Sequence, residues 1–311
     1  MTDVKLNKKQ KRRGVYSTRS IADKIVLTIV ILLLLVVALS QMYVLFWMVY
    51  TSLKDDIALF LDMFALPKFG EFCWSNYSSI LKLVRVSIYV PDKGYVSYGF
   101  ATLLRNSFIL AIFMPLQGQI VSTITAYIMS KYRFKGRSLL LAINFFVIIF
   151  PVVGYLASNL KINYAIGRYD NLFLMCIMGA HPFTGLNLLI QMSFYDAIPK
   201  EMMEAARIDG AGHFTTFLRI HFPLILPTFF LYYMLAVFAS WNDYMTPLIW
   251  LPSLPNLALG MFQFQYDAAK YAATLPQVLA GFVIVSVPSV VFYLCNQKLI
   301  TSRMVMSGLK G

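Results

Sequence analysis

The sequence predicts an all-α integral membrane protein with six transmembrane helices and both termini in the cytosol. Three observations carry that prediction. Of 311 residues, 59% are hydrophobic and 13% charged, with a mean hydropathy of +0.67. Soluble chains run about 45–50% apolar and about 25% charged. Six apolar stretches reach the roughly 20 residues that a helix needs to cross a bilayer core of about 30 Å. Basic residues crowd alternate flanks of those stretches, the positive-inside pattern. The net charge of +13 follows from that placement and does not indicate a nucleic-acid partner. Cys73, Cys176 and Cys295 are far apart in sequence, with no metal or redox spacing, and are read as small apolar residues.

The elements follow in order. Residues 1–20 form a basic tail with Lys5, Lys8, Lys9, Lys11, Arg12, Arg13 and Arg19, read as cytosolic, solvated and drawn to anionic lipid. Residues 25–50 are span one. The run is too long for a cleavable signal and has no small-residue cleavage site, so it is expected to be retained. Residues 51–98 are an outer segment, kept out of lipid by Lys54, Asp55, Asp56, Asp62, Lys68, Glu71, Asp92 and Lys93. Its Trp74 and Tyr77 suit interfacial anchoring or contact with an extracytoplasmic protein. Residues 100–129 are span two, with Arg105 and Asn106 near the outer end, where a charge can snorkel. The loop 130–137 carries Lys131, Arg133, Lys135 and Arg137 and no acid, which sets it in the cytosol. Residues 139–160 are span three; Pro151 and Gly154 inside it mark a kink, or a break that lines a cavity. After an outer loop, 161–170, span four runs over 171–194.

Residues 198–227, IPKEMMEAARIDGAGHFTTFLRIHFPLILP, form a polar island on which the chain is organised. The pattern is a short helix, a glycine turn and a second helix entering the membrane. Pro199 suits a first helical turn, Asp196 stands where it could cap it, and Glu201 and Glu204 suit the positive end of the helix dipole. Met202, Met203, Ala205, Ala206 and Ile208 give a small, adaptable apolar surface. Gly210 falls where helices end in a left-handed residue. Phe214, Phe217, Leu218 and Ile220 then share one side of the second helix. Such a knuckle fits a groove on another protein. Span five follows over 222–246, with Trp241 and Asn242 near its outer end. These two suit hydrogen bonding and aromatic anchoring, or contact with a substrate. Residues 247–272 lie outside, 273–299 are span six, and 301–311 are a second cytosolic tail.

Energy-coupling chemistry is absent from the pattern. There is no phosphate-cradling G-x-x-x-x-G-K-[ST]. His181, His213 and His221 make no metal spacing, and no cofactor is expected. Ion-coupled carriers place ionisable residues in their spans, and these spans hold almost none. A stand-alone carrier or membrane scaffold therefore ranks well below a non-catalytic subunit energised by a partner.

A family resemblance covers roughly residues 25–311. Glu204-Ala205-Ala206, Asp209-Gly210-Ala211, Ile220 and Pro223 resemble the EAA loop of ABC-importer permeases, in the form typical of the maltose-type, carbohydrate-uptake branch. WSNYSSIL, RNSFILAI, AYIMSKYRFKGR, SWNDYMTPL and LALGMFQFQY are similar to phrases of the same family. The terminal SGLKG matches its Gly-Ala-Val-Lys-Gly phrase in part, with Ser307 in place of the first Gly and Leu309 in place of Val.

The resemblance implies the type I permease fold in a bacterial inner or plasma membrane, with residues 21–300 as the permease domain and 198–221 as its coupling loop. It implies a sugar or oligosaccharide cargo, with a glycerol-phosphate-type solute as the alternative. The partners it implies are a second, homologous permease, a cytosolic ABC ATPase dimer and an extracytoplasmic solute-binding protein. Glu201, Met202, Met203, Glu204, Ala205, Ala206, Asp209, Gly210 and Ala211 would dock the ATPase. Glu204 would make a charged contact there, or else pair within its helix with Lys200 or Arg207. Gly308, Leu309, Lys310 and Gly311 would reach between the ATPases.

Overall fold

The structure, a computed structural model, describes residues 21–67, 70–90, 94–150, 154–179 and 181–308. The basic tail 1–20, Pro151 and the tail residues Leu309, Lys310 and Gly311 lie outside the described residues. Among the described residues four helices are long and apolar enough to cross a membrane: Ile21–Ser52, Phe100–Lys131, His213–Trp241 and Leu275–Gln297. They correspond to the predicted spans one, two, five and six. We label the first α1 (Ile21–Ser52). Short helices α2 (Asp56–Leu61) and α3 (Ser75–Leu83) follow, then strands β1 (Arg85–Val90) and β2 (Gly94–Gly99), and then α4 (Phe100–Lys131).

The hairpin departs from the all-α expectation. Its strands pair antiparallel from Arg85 opposite Gly99 to Val90 opposite Gly94. Alternation explains it: Val86 is buried and Ile88 half-buried, while Arg85, Ser87 and Tyr89 point outward, the two-faced pattern of a strand lying on a core.

Spans three and four are each split. The first becomes α5 (Arg137–Ile149) and α6 (Leu156–Ala165), with Gly154 in the gap; the second becomes α7 (Leu172–Met178) and α8 (Leu186–Asp196). Span four was expected to be continuous. Pro182, which has no N–H to give a helix, lies in its break, and Asn144 of α5 satisfies the backbone freed there. Its amide donates to the Gly185 carbonyl at 3.1 Å and accepts from the Gly185 N–H at 2.9 Å, and Asn144 is fully buried. A neighbouring side chain thus does what water cannot do inside a bilayer.

The chain then forms α9 (Glu201–Ile208), α10 (His213–Thr216) and a wide π turn (Phe217–His221), followed by α11 (Phe222–Trp241), α12 (Met245–Ile249), α13 (Leu257–Tyr266) and α14 (Leu275–Gly308). Helix α4 is the central pillar, packed on α8 and α11. Pro115 interrupts its ladder. Just ahead of that break, Tyr233 and Ser240 of α11 donate to the carbonyls of Ile112 at 3.1 Å and Leu110 at 3.3 Å.

Around the start of α4 sits a core of Ile80, Val84, Val86, Leu103, Leu257, Met261 and Phe264. Gly260 lets α13 approach α4 closely: a Cβ there would stand 2.7 Å from Leu103 Cδ1. Asn106 donates to the Pro255 carbonyl at 2.9 Å, and Ser107 accepts from the Leu257 N–H at 2.8 Å. Lys54 is not a solvated charge. It is 2% exposed, donates to the carbonyls of Asp62 and Met63 at 3.0 and 3.2 Å and lies over the Tyr50 ring. Asn76 donates to the Ser52 and Lys54 carbonyls at the end of α1, and Tyr77 bonds Ser52. Trp74 stays largely exposed.

Candidate functional site: the helical knuckle

The knuckle forms as a helix, a turn and a helix. Helix α9 ends at Ile208, and Gly210 takes φ +77°. The Gly210 N–H donates to Arg207 and the Ala211 N–H to Ala206, at 3.0 and 2.9 Å. This paired arrangement satisfies carbonyls left over at the helix end. The Asp196 cap is not made. Asp196 closes α8, its carboxylate accepts from Ser130, and α9 starts at Glu201, with Lys200 at its N-cap making no side-chain cap. Helix α8 runs through Asp196 itself, because its apolar side stays packed through Tyr195.

Helical spacing divides α9 into two faces. Ala206 is buried and Met203 half-buried; Glu201, Met202, Glu204, Ala205 and Ile208 are exposed. Ile208 is 86% exposed and Phe214, beyond the turn, 74%. Glu204 pairs with neither Lys200 nor Arg207 among the described residues. The outward surface therefore joins carboxylates to uncovered apolar side chains, a composition that marks interaction sites. Asp209 and Gly210 are exposed and Ala211 is half-buried.

The last residue of α4 and the residue after it brace this element at both ends. Lys131 Nζ donates to the Ile198 carbonyl at 2.8 Å, ahead of α9. Tyr132 Oη and His213 Nδ1 share a hydrogen bond of 2.8 Å beyond the turn. The Tyr127 ring lies 4.8 Å from Phe217 and 5.0 Å from His221, so the base of the knuckle is set in an aromatic cluster with Tyr195. Sequence reasoning took Lys131 only as a marker of sidedness and missed Tyr127 and Tyr132. The run of aromatics on both segments was the available signal.

At the other end of α11, the Trp241 ring is buried and its indole N–H donates to the Val285 carbonyl at 3.1 Å. Asn242 is exposed and donates to Phe238 of its own helix at 2.9 Å. Gly308 is the last residue of α14.

A helical bundle with apolar spans and one braced, outward-facing knuckle belongs to the class of polytopic membrane components. The chain belongs to the binding-protein-dependent transport system inner membrane component family, whose model matches residues 14–305. It is 27% identical over 285 residues to the trehalose/maltose transport system permease protein MalG of Thermococcus litoralis, covering 89% of this chain and 94% of that protein. It is 24% identical over 289 residues to the galactooligosaccharides transport system permease protein GanQ of Bacillus subtilis, covering 90% and 94%. Over 270 residues it is 27% identical to the sn-glycerol-3-phosphate transport system permease protein UgpE of Yersinia pestis, covering 84% and 88%. A chain of a bacterial ABC transporter involved in import of the acidic polysaccharide alginate shares the fold, with a TM-score of 0.70 at 22% identity over 92% of this chain and 99% of that one. The architecture is the ABC importer permease fold.

Proposed function

We propose that this chain is one of two permease halves of a bacterial ABC importer for a sugar or oligosaccharide. The observation that carries the reading is the near full-length likeness to permeases named for trehalose, maltose and galactooligosaccharides. The glycerol-phosphate permease among the relatives supports a second cargo, a small phosphorylated polyol. Counting each split segment as one crossing gives six spans. The basic loop 130–137, bonded to the knuckle, sets that end in the cytosol by charge. The permease domain is then 21–300, with both tails, 1–20 and 301–311, cytosolic.

In this reading the knuckle seats in a cleft of a cytosolic ATPase dimer, which alone hydrolyses ATP. Glu201 and Glu204 make charged contacts, Met202, Met203 and Ala205 fill the cleft, and Ala206, Asp209, Gly210 and Ala211 fix the turn. Closure of the ATPases displaces the knuckle, and the braces at Ile198 and His213 pass that displacement to α4 and α11. An extracytoplasmic binding protein delivers the cargo on the far side. Asn242, exposed there, is a better candidate for cargo contact than the enclosed Trp241. Residues 308–311, Gly308 through Leu309 and Lys310 to Gly311, reach toward the ATPases.

Extraction in mild detergent, followed by mass spectrometry, tests the assembly. The expected result is a second permease and an ATPase in two copies. Recovery of the chain by itself, under conditions that hold other membrane complexes together, removes the proposal. Glu204→Lys should weaken ATPase retention about tenfold or more, since a hydrogen bond to a charged group contributes about 1.5–3 kcal/mol.

A further inference from the structure

The end of the molecule opposite the knuckle carries a cleft. It has a volume of about 610 Å³ and lies between the hairpin and the end of α13. Among its lining residues are Arg85, Tyr95, Gln263, Tyr266, Asp267 and Lys270. One wall is the outward face of the hairpin, whose inward face, with Val86, is sealed in the core. The other wall is the last turn of α13 and the turn after it, where the Lys270 N–H donates to the Asp267 carbonyl at 2.9 Å. Both walls therefore rest on packed structure.

Three features define what the cleft accepts. Tyr95 is 81% exposed and Tyr266 71%, so two aromatic rings face open space. Arg85, Asp267 and Lys270 form no ion pair with one another among the described residues, which leaves donors and an acceptor available beside those rings. Gln263 adds both kinds of group. The volume lies in the range of about 300–1,000 Å³ typical of small-molecule sites.

We infer that this cleft binds an uncharged di- or trisaccharide. A sugar ring offers C–H groups on its faces, which suit the negative face of a tyrosine ring, and hydroxyls on its edges, which need donors and acceptors together. A lone phosphate would be met by Asp267 as well as by the cations, and an acyl chain would find charged walls. The inference rests on the saccharide-importer reading. It assigns the cleft as a waiting site outside the spans, next to the segment where β2 runs directly into α4.

The test uses the assembled importer in nanodiscs, without the extracytoplasmic protein. Saturation-transfer NMR is recorded with maltose, maltotriose, galactobiose and sn-glycerol 3-phosphate. Transfer to the ring protons of at least one saccharide is expected. It should fall about tenfold in Tyr266→Ala and in Asp267→Ala. Tyr266 is largely exposed, so its truncation leaves the core intact.

If the complex imports one of these saccharides into vesicles but shows no transfer, or transfer that both cleft variants leave unchanged, the waiting site is refuted while the importer reading stands. If sn-glycerol 3-phosphate alone is imported, both the saccharide cargo and the site are refuted. If the variants spare transfer yet weaken association with the extracytoplasmic protein, the cleft is a protein-docking surface and the inference fails.

Discussion

Replacing Gly210 isolates what the knuckle requires of its turn. The residue sits at φ +77°, and nothing lies within 4 Å of a Cβ added there. A substitution therefore meets no neighbour and costs only what the backbone imposes. For an ordinary residue the left-handed region costs about 1–2 kcal/mol, and Asn tolerates it better than most. A β-branched side chain belongs at the upper end of that range. If the turn opens instead, the bonds from Gly210 and Ala211 are lost, each contributing about 0.5–1.5 kcal/mol. A loss near 2 kcal/mol changes the ratio of closed to open turns about 30-fold. Uptake into vesicles by the reconstituted importer, normalised to incorporated protein, should rank Gly above Asn, Asn above Ala and Ala above Val. Hydrogen exchange at the amides of residues 210 and 211 should accelerate in the same order. Normal uptake by Gly210→Val would rule out a φ-limited turn. So would an Asn variant as impaired as Val, because the deficit would then follow side-chain bulk rather than φ.

Three other perturbations test neighbouring parts of the structure. Lys131→Met removes the donor to the Ile198 carbonyl and should weaken the knuckle by about 1–2 kcal/mol, seen as faster exchange over residues 198–212; unchanged exchange would rule out the brace. Gly260→Ala places a Cβ 2.7 Å from Leu103 and 3.2 Å from Val84; it should lower the melting temperature in detergent through about 1–3 kcal/mol of overpacking, and an additional Leu103→Ala should restore part of the loss. Asn144→Leu leaves the Gly185 N–H and carbonyl without their partner, at about 1–3 kcal/mol for each buried group, and should yield a protein that melts earlier; an unchanged midpoint would show that the break at Gly185 has another support.

Spans one, two, five and six were legible because a long apolar run is a one-dimensional signal that survives without knowledge of neighbours. The splitting of span four was not, because what stabilises it is Asn144, 41 residues upstream of Gly185. The hairpin could have been found: RVSIYV and GYVSYG are rich in β-branched and aromatic residues and flank Pro91-Asp92-Lys93, a turn signature. Charge places that segment outside lipid but says nothing about strands within it. The glycine turn was readable from Gly210 because the cap motif is local. Asp196 misled for the same reason: a good capping residue says nothing about whether the preceding helix has already ended. Lys54 shows the limit of reading charge as exposure, since its partners are the backbone carbonyls of Asp62 and Met63.

Among the described residues, the buried part of the first span is its last turn. Tyr50, Thr51 and Ser52 are buried and tied by Asn76 and Tyr77, whereas every residue from 21 to 46 is exposed. Its 32 residues make a rod of about 48 Å at 1.5 Å per residue. A pivot of only about 5° at the tethered end would swing the other by about 4 Å on that length. In the proposed orientation α1 is a lever seated at the outer cap, and its long arm runs toward the bilayer face of the knuckle.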